Sequence, residues 1–171
     1  MNTHVALLIA LLAGQAASYA QQPPAAPPAP VVSPTPAETL AKWPWSLATQ
    51  GAAFKQDTMV IPLEPGEGME YKYRIEKGGG MLYSWTSTGP IHYELHSVPD
   101  GSPRGYAEFF DTQDNRDRAH GVYNAAFPGI HGWWLENKTD RSVTITLTTA
   151  GFYSESQEFR KGVDVRTKRF D

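Results

Sequence analysis

Residues 80–97, GMLYSWTSTGPIHYELHS, decide the fold class because apolar and polar side chains alternate through them with a period of two. Such alternation is typical of a β-strand with one face on a core. The Gly89-Pro90 pair interrupts the pattern, which predicts a strand, a turn and a second strand. On the second strand the core-facing side chains are predicted to be Ile91, Tyr93 and Leu95. The opposite, more solvated face carries His92, Glu94 and His96.

Short alternating segments continue on both sides of this pair, separated by turn residues. Strands are predicted over 58–63, 69–77, 120–127, 130–137 and 142–150, with a long interruption over 98–118. Inward-facing residues are predicted at Tyr71, Tyr73, Ile75, Val122, Val143, Ile145 and Leu147, with Lys72 and Arg74 facing water. The pattern predicts an all-β protein with a single β-sandwich of about eight strands, closed as a Greek key or jelly roll.

Composition divides the chain into four parts. Residues 1–20 carry an apolar run too short to span a bilayer and end in Ser-Tyr-Ala, which predicts a signal peptide cleaved before Gln21. An uncleaved anchor is the alternative. Residues 21–56 form a Pro/Ala-rich linker with a short helical segment ending at Pro44. The β-sandwich domain is predicted over 57–153 and a polar, partly basic tail over 154–171.

Charge and cysteine content narrow the partners and the compartment. A net charge of −3 argues against nucleic acid, since phosphate binding needs a basic surface. The chain has no cysteine, so an exported domain must be held by core packing, which favours the bacterial periplasm or secretion from a bacterium. Residues 160–171 hold five basic and two acidic side chains. A solvated, disordered or weakly helical terminus is favoured there, with peripheral association with an anionic membrane as the alternative.

Two stretches resemble a known group of proteins. GEGMEYKYRIEKGGGMLYSW at residues 66–85 and GIHGWWLEN at residues 129–137 are similar to bacterial exported proteins often labelled transmembrane anchor proteins, and more distantly to the GOLD β-sandwich. The resemblance covers roughly residues 57–153 and implies an exported, GOLD-like sandwich. It implies no activity and no catalytic residues. Family members carry an N-terminal membrane segment where this chain has a shorter, signal-like run.

One cluster of side chains suggests a metal site. His92, Glu94 and His96 recur at every second position, and imidazole and carboxylate groups are ligands for zinc or copper. His131 or His120 on a neighbouring strand would complete the set. Ordinary hydrogen bonding on a sheet face explains the same residues more simply, so His92, Glu94, His96 and His131 are candidate metal ligands only if the strands are adjacent.

The aromatic residues suggest a binding surface. Trp85, Tyr93, Trp133 and Trp134 are candidates for stacking on sugar rings or contacting a partner protein. Trp133 and Trp134 point to opposite faces of one strand, so one of them is predicted to lie outside the core. No nucleophile elbow, phosphate loop or zinc-protease helix is present in the sequence. The sequence therefore favours a non-catalytic exported binding or adaptor module for an envelope protein or cell-surface ligand, with a periplasmic metal-binding protein as the alternative.

Overall fold

A computed structural model describes residues 49–170, which form eight antiparallel β-strands and contain no helix. The predicted all-β, sandwich-like fold is confirmed. The strands are β1 (Lys55–Leu63), β2 (Gly68–Ile75), β3 (Gly80–Pro99), β4 (Glu108–Asn124), β5 (Gly129–Glu136), β6 (Val143–Gly151), β7 (Glu155–Arg160) and β8 (Arg166–Arg169).

The eight strands belong to one curled sheet whose two halves meet in β3. The strand order is β1-β6-β3-β5-β2-β7-β8, and β4 pairs with β3 alone. The first part of β3, residues 81–87, pairs with β6, whereas residues 92–99 pair with β5. Because β3 changes partner along its length, the β1-β6 half and the β5-β2-β7-β8 half lie face to face across a shared core.

The Gly89-Pro90 pair is a bend in one strand, and the predicted turn between two strands is wrong. At this point β3 leaves β6 and joins β5, and its pairing with β4 shifts register between Thr86 and Ile91. Proline lacks the N–H that a regular ladder needs, and glycine tolerates the close approach of Val143, whose Cγ1 would lie 2.9 Å from a Cβ at Gly89. The pair therefore marks the corner of the sheet.

The core fills the space between the two halves, and most of the predicted inward-facing residues lie in it. The β2 residues Tyr71, Tyr73 and Ile75 are at most 2% exposed. Ring contacts join the halves, as between Tyr83 and Trp133, whose centroids are 5.0 Å apart. The other predicted core residues that are buried are Ile91, Tyr93, Leu95, Val143, Ile145 and Leu147.

Strand β4 departs from the sequence prediction in extent and in register. It begins at Glu108, within the predicted interruption, and pairs with β3 along most of its length. Val122 is exposed and its neighbour Tyr123 is buried, so the predicted inward orientation of Val122 is wrong. A slip of one residue exchanges the faces of a strand. Tyr123 occupies the core position, where its hydroxyl forms hydrogen bonds with His131 and Ser97.

The carboxyl-terminal segment is part of the sheet, so the predicted disordered or weakly helical tail is wrong. Strand β7 pairs with β2, and β8 pairs with β7. The Phe170 ring lies 4.9 Å from that of Tyr153, which anchors the end of β8 against the core. Strand β8 is the edge of the sheet and β7 is next to it. Charged side chains are tolerated near a sheet edge, so the polar composition of this segment did not reveal its strands.

The predicted signal peptide, 1–20, and the linker through residue 48, with Trp43 and Trp45, lie outside the described residues. Within residues 49–170, no helix is long and apolar enough to cross a membrane.

Candidate functional site

The outer face of the β3-β5-β2 layer carries most of the predicted polar site residues. Trp134 on β5 lies in register between Glu70 on β2 and Glu94 on β3. One step along, Gly132 lies between Lys72 and His96, and on the other side Glu136 pairs with His92. This surface, called the Trp134 face below, consists of Glu70, Lys72, His92, Glu94, His96, Trp134 and Glu136.

Lys72 is a buried cation on this face, although its alternation with tyrosines predicted a solvated side chain. It is 0% exposed, and its Nζ lies 2.5 Å from Nε2 of His96 and 3.3 Å from Oε2 of Glu70. Gly132 provides no side chain between Lys72 and His96, so the two can meet across β5. Burial lowers the pKa of Lys72, and the charge of Glu70 only partly offsets that effect. Burial alone would raise the pKa of Glu70, but the His96 hydrogen bond and the Lys72 charge hold it below its usual value.

His92 joins β3 to β4 at the far side of the face. Its Nδ1 lies 2.9 Å from Oδ1 of Asp114 and its Nε2 lies 3.3 Å from Oε1 of Glu94. The same oxygen of Asp114 accepts a hydrogen bond from Lys138 at 3.2 Å. Hydrogen bonds from Lys138 and His92 lower the pKa of the Asp114 carboxyl. Both nitrogens of His92 are therefore engaged, Nδ1 with Asp114 on β4 and Nε2 with Glu94 on its own strand.

His131 lies on the opposite side of β5, so the proposed set of four metal ligands does not assemble. It shares its face with Trp133 and is 0% exposed, with Nδ1 2.7 Å from the Tyr123 hydroxyl. Burial lowers the pKa of His131 to about 4. His120, the other candidate, is exposed on β4 opposite Ser84. Across residues 49–170, no three His, Cys, Asp or Glu side chains are placed to hold a metal ion.

Three of the four predicted ligand-binding aromatics belong to the core. Trp85, Tyr93 and Trp133 are 1%, 3% and 0% exposed, so they have no open surface to offer a ligand. They pack inward because they share strand faces with the aliphatic core residues. Trp134 is partly exposed, which confirms that Trp133 and Trp134 divide between the two faces of β5. Of the four predicted residues, Trp134 alone remains a candidate binding residue.

The indole of Trp134 forms one wall of a surface cavity of about 380 Å³. The ring crosses over Gly68, where an added Cβ would lie 2.3 Å from Cζ2 of the indole. Its Nε1 donates to Oε2 of Glu136 at 3.5 Å. These two contacts hold the ring in place beside the opening. The cavity, called the Trp134 cavity below, is lined by Gly66, Glu67, Gly68, Trp134, Glu136, Arg160, Lys161 and Val163.

Sequence reasoning missed the cationic side of this cavity. Arg160 and Lys161 come from the end of β7, in the segment predicted to be disordered. Arg160 donates to Glu67 at 2.5 Å and to Glu158 at 2.6 Å, so its guanidinium is held by two carboxylates. In the structure Ser156 and Glu158 are the buried residues of β7, so no alternation of apolar and polar residues in the sequence marks this strand.

Comparisons with known proteins add no family. No family model matches the chain, and no curated protein matches it. Among solved structures, a chain from the structure of infectious bursal disease virus Gx strain aligns at 10% identity with a TM-score of 0.17. The alignment covers 71% of this chain and 40% of the viral chain. Similarity at that level supports no conclusion about fold or function, and the resemblance to bacterial envelope proteins stays a prediction.

Proposed function

We propose that the chain is an exported, non-catalytic binding or adaptor module of the bacterial envelope, which recognises a protein or envelope ligand at the Trp134 cavity. The observation that supports this most is the position of Trp134. Of the three tryptophans in residues 49–170, two are buried in the core and Trp134 borders an open cavity. A large aromatic ring that is fixed in place and partly exposed is a common feature of binding sites.

The surroundings of Trp134 favour binding over chemistry. The ring lies on the central strand of a sheet, so its position is set by hydrogen-bonded neighbours on both sides. Rigid placement reduces the entropy that a ligand must overcome on binding. The polar groups that line the cavity are two carboxylates, an ammonium and a guanidinium, which are suited to hydrogen bonding with a ligand.

Export is tested by amino-terminal sequencing of the mature protein. Cleavage of the predicted signal peptide gives a chain that begins near Gln21. Recovery of the intact amino terminus, Met1, in a membrane fraction would instead identify an anchored protein.

Binding is tested by photo-crosslinking in bacterial cells that export the full chain. A benzophenone amino acid replaces either Val163, which lines the cavity, or Val60 on β1; these valines are 49% and 60% exposed. A discrete adduct from position 163 that is absent from position 60 is the expected result. Equal adducts from both positions, or none from position 163, would reject the proposed site.

A further inference from the structure

We infer that the ligand of the Trp134 cavity is a neutral saccharide of the envelope glycan, with one face of a sugar ring against the indole. This inference rests on the proposed function and names the ligand class. The size of the cavity is the first argument. About 380 Å³ lies within the range of roughly 300–1,000 Å³ that small-ligand sites occupy.

The charges that line the cavity cancel and so favour a neutral ligand. Glu67 and Glu136 contribute two carboxylates, and Arg160 and Lys161 contribute two cations. The two basic groups would repel a cationic peptide, and the two carboxylates would repel an anionic ligand. A neutral polar molecule meets neither penalty.

Hydrogen-bonding chemistry separates a saccharide from an apolar ligand. Both kinds of group line the cavity with the indole: the Glu136 carboxylate accepts hydrogen bonds and the Lys161 ammonium donates them. A sugar hydroxyl both donates and accepts, so adjacent hydroxyls of one ring can satisfy both groups. The guanidinium of Arg160 already donates to Glu67 and Glu158, so Arg160 lines the cavity and is not counted as a hydrogen-bond donor to the ligand.

The indole supplies the stacking surface. The face of an aromatic ring carries partial negative charge, and the C–H groups on the face of a sugar ring carry partial positive charge. Gly68 is required beneath the indole, because a methyl group there would lie 2.3 Å from Cζ2 and push the ring from its place. The ring is therefore held at a set position beside the polar groups.

The test uses the full mature chain with two glycan probes. Co-sedimentation with purified peptidoglycan sacculi measures binding to the polymer, and calorimetry with chitotetraose and cellotetraose measures binding to soluble sugars with and without acetamido groups. Binding that Trp134→Ala weakens by about tenfold or more is expected. Trp134→Phe retains a ring and should bind more tightly than Trp134→Ala.

Two further variants separate stacking from folding. Gly68→Ala keeps every ring atom but displaces the indole, so it should weaken binding like Trp134→Ala. Phe110→Ala removes an aromatic residue that is 46% exposed on β4 and should leave binding unchanged. Thermal unfolding identifies any variant that fails to fold. The variants that do fold then test whether the indole contributes to glycan binding.

Three outcomes would overturn the saccharide assignment. One is equal glycan binding by the native chain and both Trp134 variants. Another is Trp134-dependent binding of trilysine or triglutamate without binding of any glycan. The third is a position-163 adduct that lysozyme leaves intact and that contains a protein. The third result keeps the proposed binding function while rejecting the sugar, whereas the absence of any position-163 adduct rejects the proposed function itself.

Discussion

The amino group of Lys72 lies 2.5 Å from Nε2 of His96, although the two residues belong to strands separated by β5. The contact passes above Gly132, which is in register with both. The contact buries Lys72, although the alternation of its neighbours along β2 predicts a solvent-exposed side chain. The energetic consequences of this and three other contacts are testable.

Replacement of Lys72 by methionine should lower the free energy of unfolding at pH 7 by roughly 1–3 kcal/mol, because it leaves the Glu70 carboxylate and the buried His96 ring without their partner. The pH dependence should change. The pKa of folded Lys72 is lowered from 10.5, so at pH values between that lowered pKa and 10.5 the unfolded chain holds a proton that the folded protein has released. Native stability should therefore rise with pH on approaching 10.5, relative to Lys72→Met. Denaturant unfolding at several pH values checks this.

Lys77→Met is the matched control, since Lys77 is exposed just beyond β2. Its stability should follow the native pH dependence. A Lys72→Met curve parallel to the native curve over the same pH range would contradict the assignment of a buried, pKa-shifted lysine.

His131 should make the domain sensitive to mild acid. Its pKa falls from 6.5 to about 4 on folding, so the unfolded chain binds a proton in that interval and the folded protein does not. Stability present at pH 7 should decrease as the pH falls from 6.5 to about 4, by roughly 3 kcal/mol. His131→Phe should lack this loss, whereas His120→Phe, at an exposed position, should retain it. Equal acid sensitivity in both variants would assign the effect elsewhere.

Asp57 should contribute more to stability than the lysine that pairs with it. Its Oδ2 accepts hydrogen bonds from Tyr71 at 3.1 Å and Tyr73 at 3.0 Å, and its Oδ1 lies 2.7 Å from Nζ of Lys168. Asp57→Ala leaves two buried hydroxyls without this acceptor and should cost about 2–4 kcal/mol. Lys168→Met should cost about 1 kcal/mol or less, because Lys168 is 58% exposed. Equal losses, measured by urea unfolding, would show that the tyrosine contacts contribute nothing.

The carboxyl-terminal segment should stabilise the whole domain. Phe170 contacts the rings of Tyr153 and Tyr73, with centroid distances of 4.9 Å and 6.4 Å. Phe170→Ala should lower the free energy of unfolding by roughly 1–2 kcal/mol. Val163→Ala, at an exposed position in the same segment, should change it by less than about 0.5 kcal/mol. If thermal melts show no effect of Phe170→Ala, the segment is the solvated tail that its composition suggests.

Strands with one buried face could be predicted from sequence, because their alternation is regular. Tyr71, Tyr73 and Ile75 in β2 are such a case, and Val143, Ile145 and Leu147 in β6 are another. Position along one strand also predicted that Trp133 and Trp134 separate. The local sequence pattern predicts which side chains of a strand face the core when the strand pairs with the same neighbours along its whole length.

The errors arise where a strand changes partner or lies at an edge. Gly89-Pro90 has turn composition, yet β3 continues through it because different strands, β6 and β5, flank its two halves. Strand β7 lies near the edge, so its charged residues concealed it. The burial of Lys72 depends on Gly132 in another strand, which no local pattern around Lys72 reveals.

The candidate site was half predicted for the same reason. Trp134 was identified because its strand has two apolar faces, but its partners Gly68 and Lys161 come from β2 and the end of β7. The prediction that His131 joins His92, Glu94 and His96 is wrong, because His131 lies on the same face of β5 as Trp133 and Leu135, which are both in the core. With Trp133 in the core, His131 must also point inward.

Binding at Trp134 is tested most directly by in-cell crosslinking from position 163 in chains that carry Trp134, Trp134→Ala or Phe110→Ala. The adduct should form with the native chain and with Phe110→Ala, and it should be lost or strongly reduced with Trp134→Ala at equal protein level. An adduct of equal intensity in all three chains would contradict the assignment of Trp134 as the binding residue.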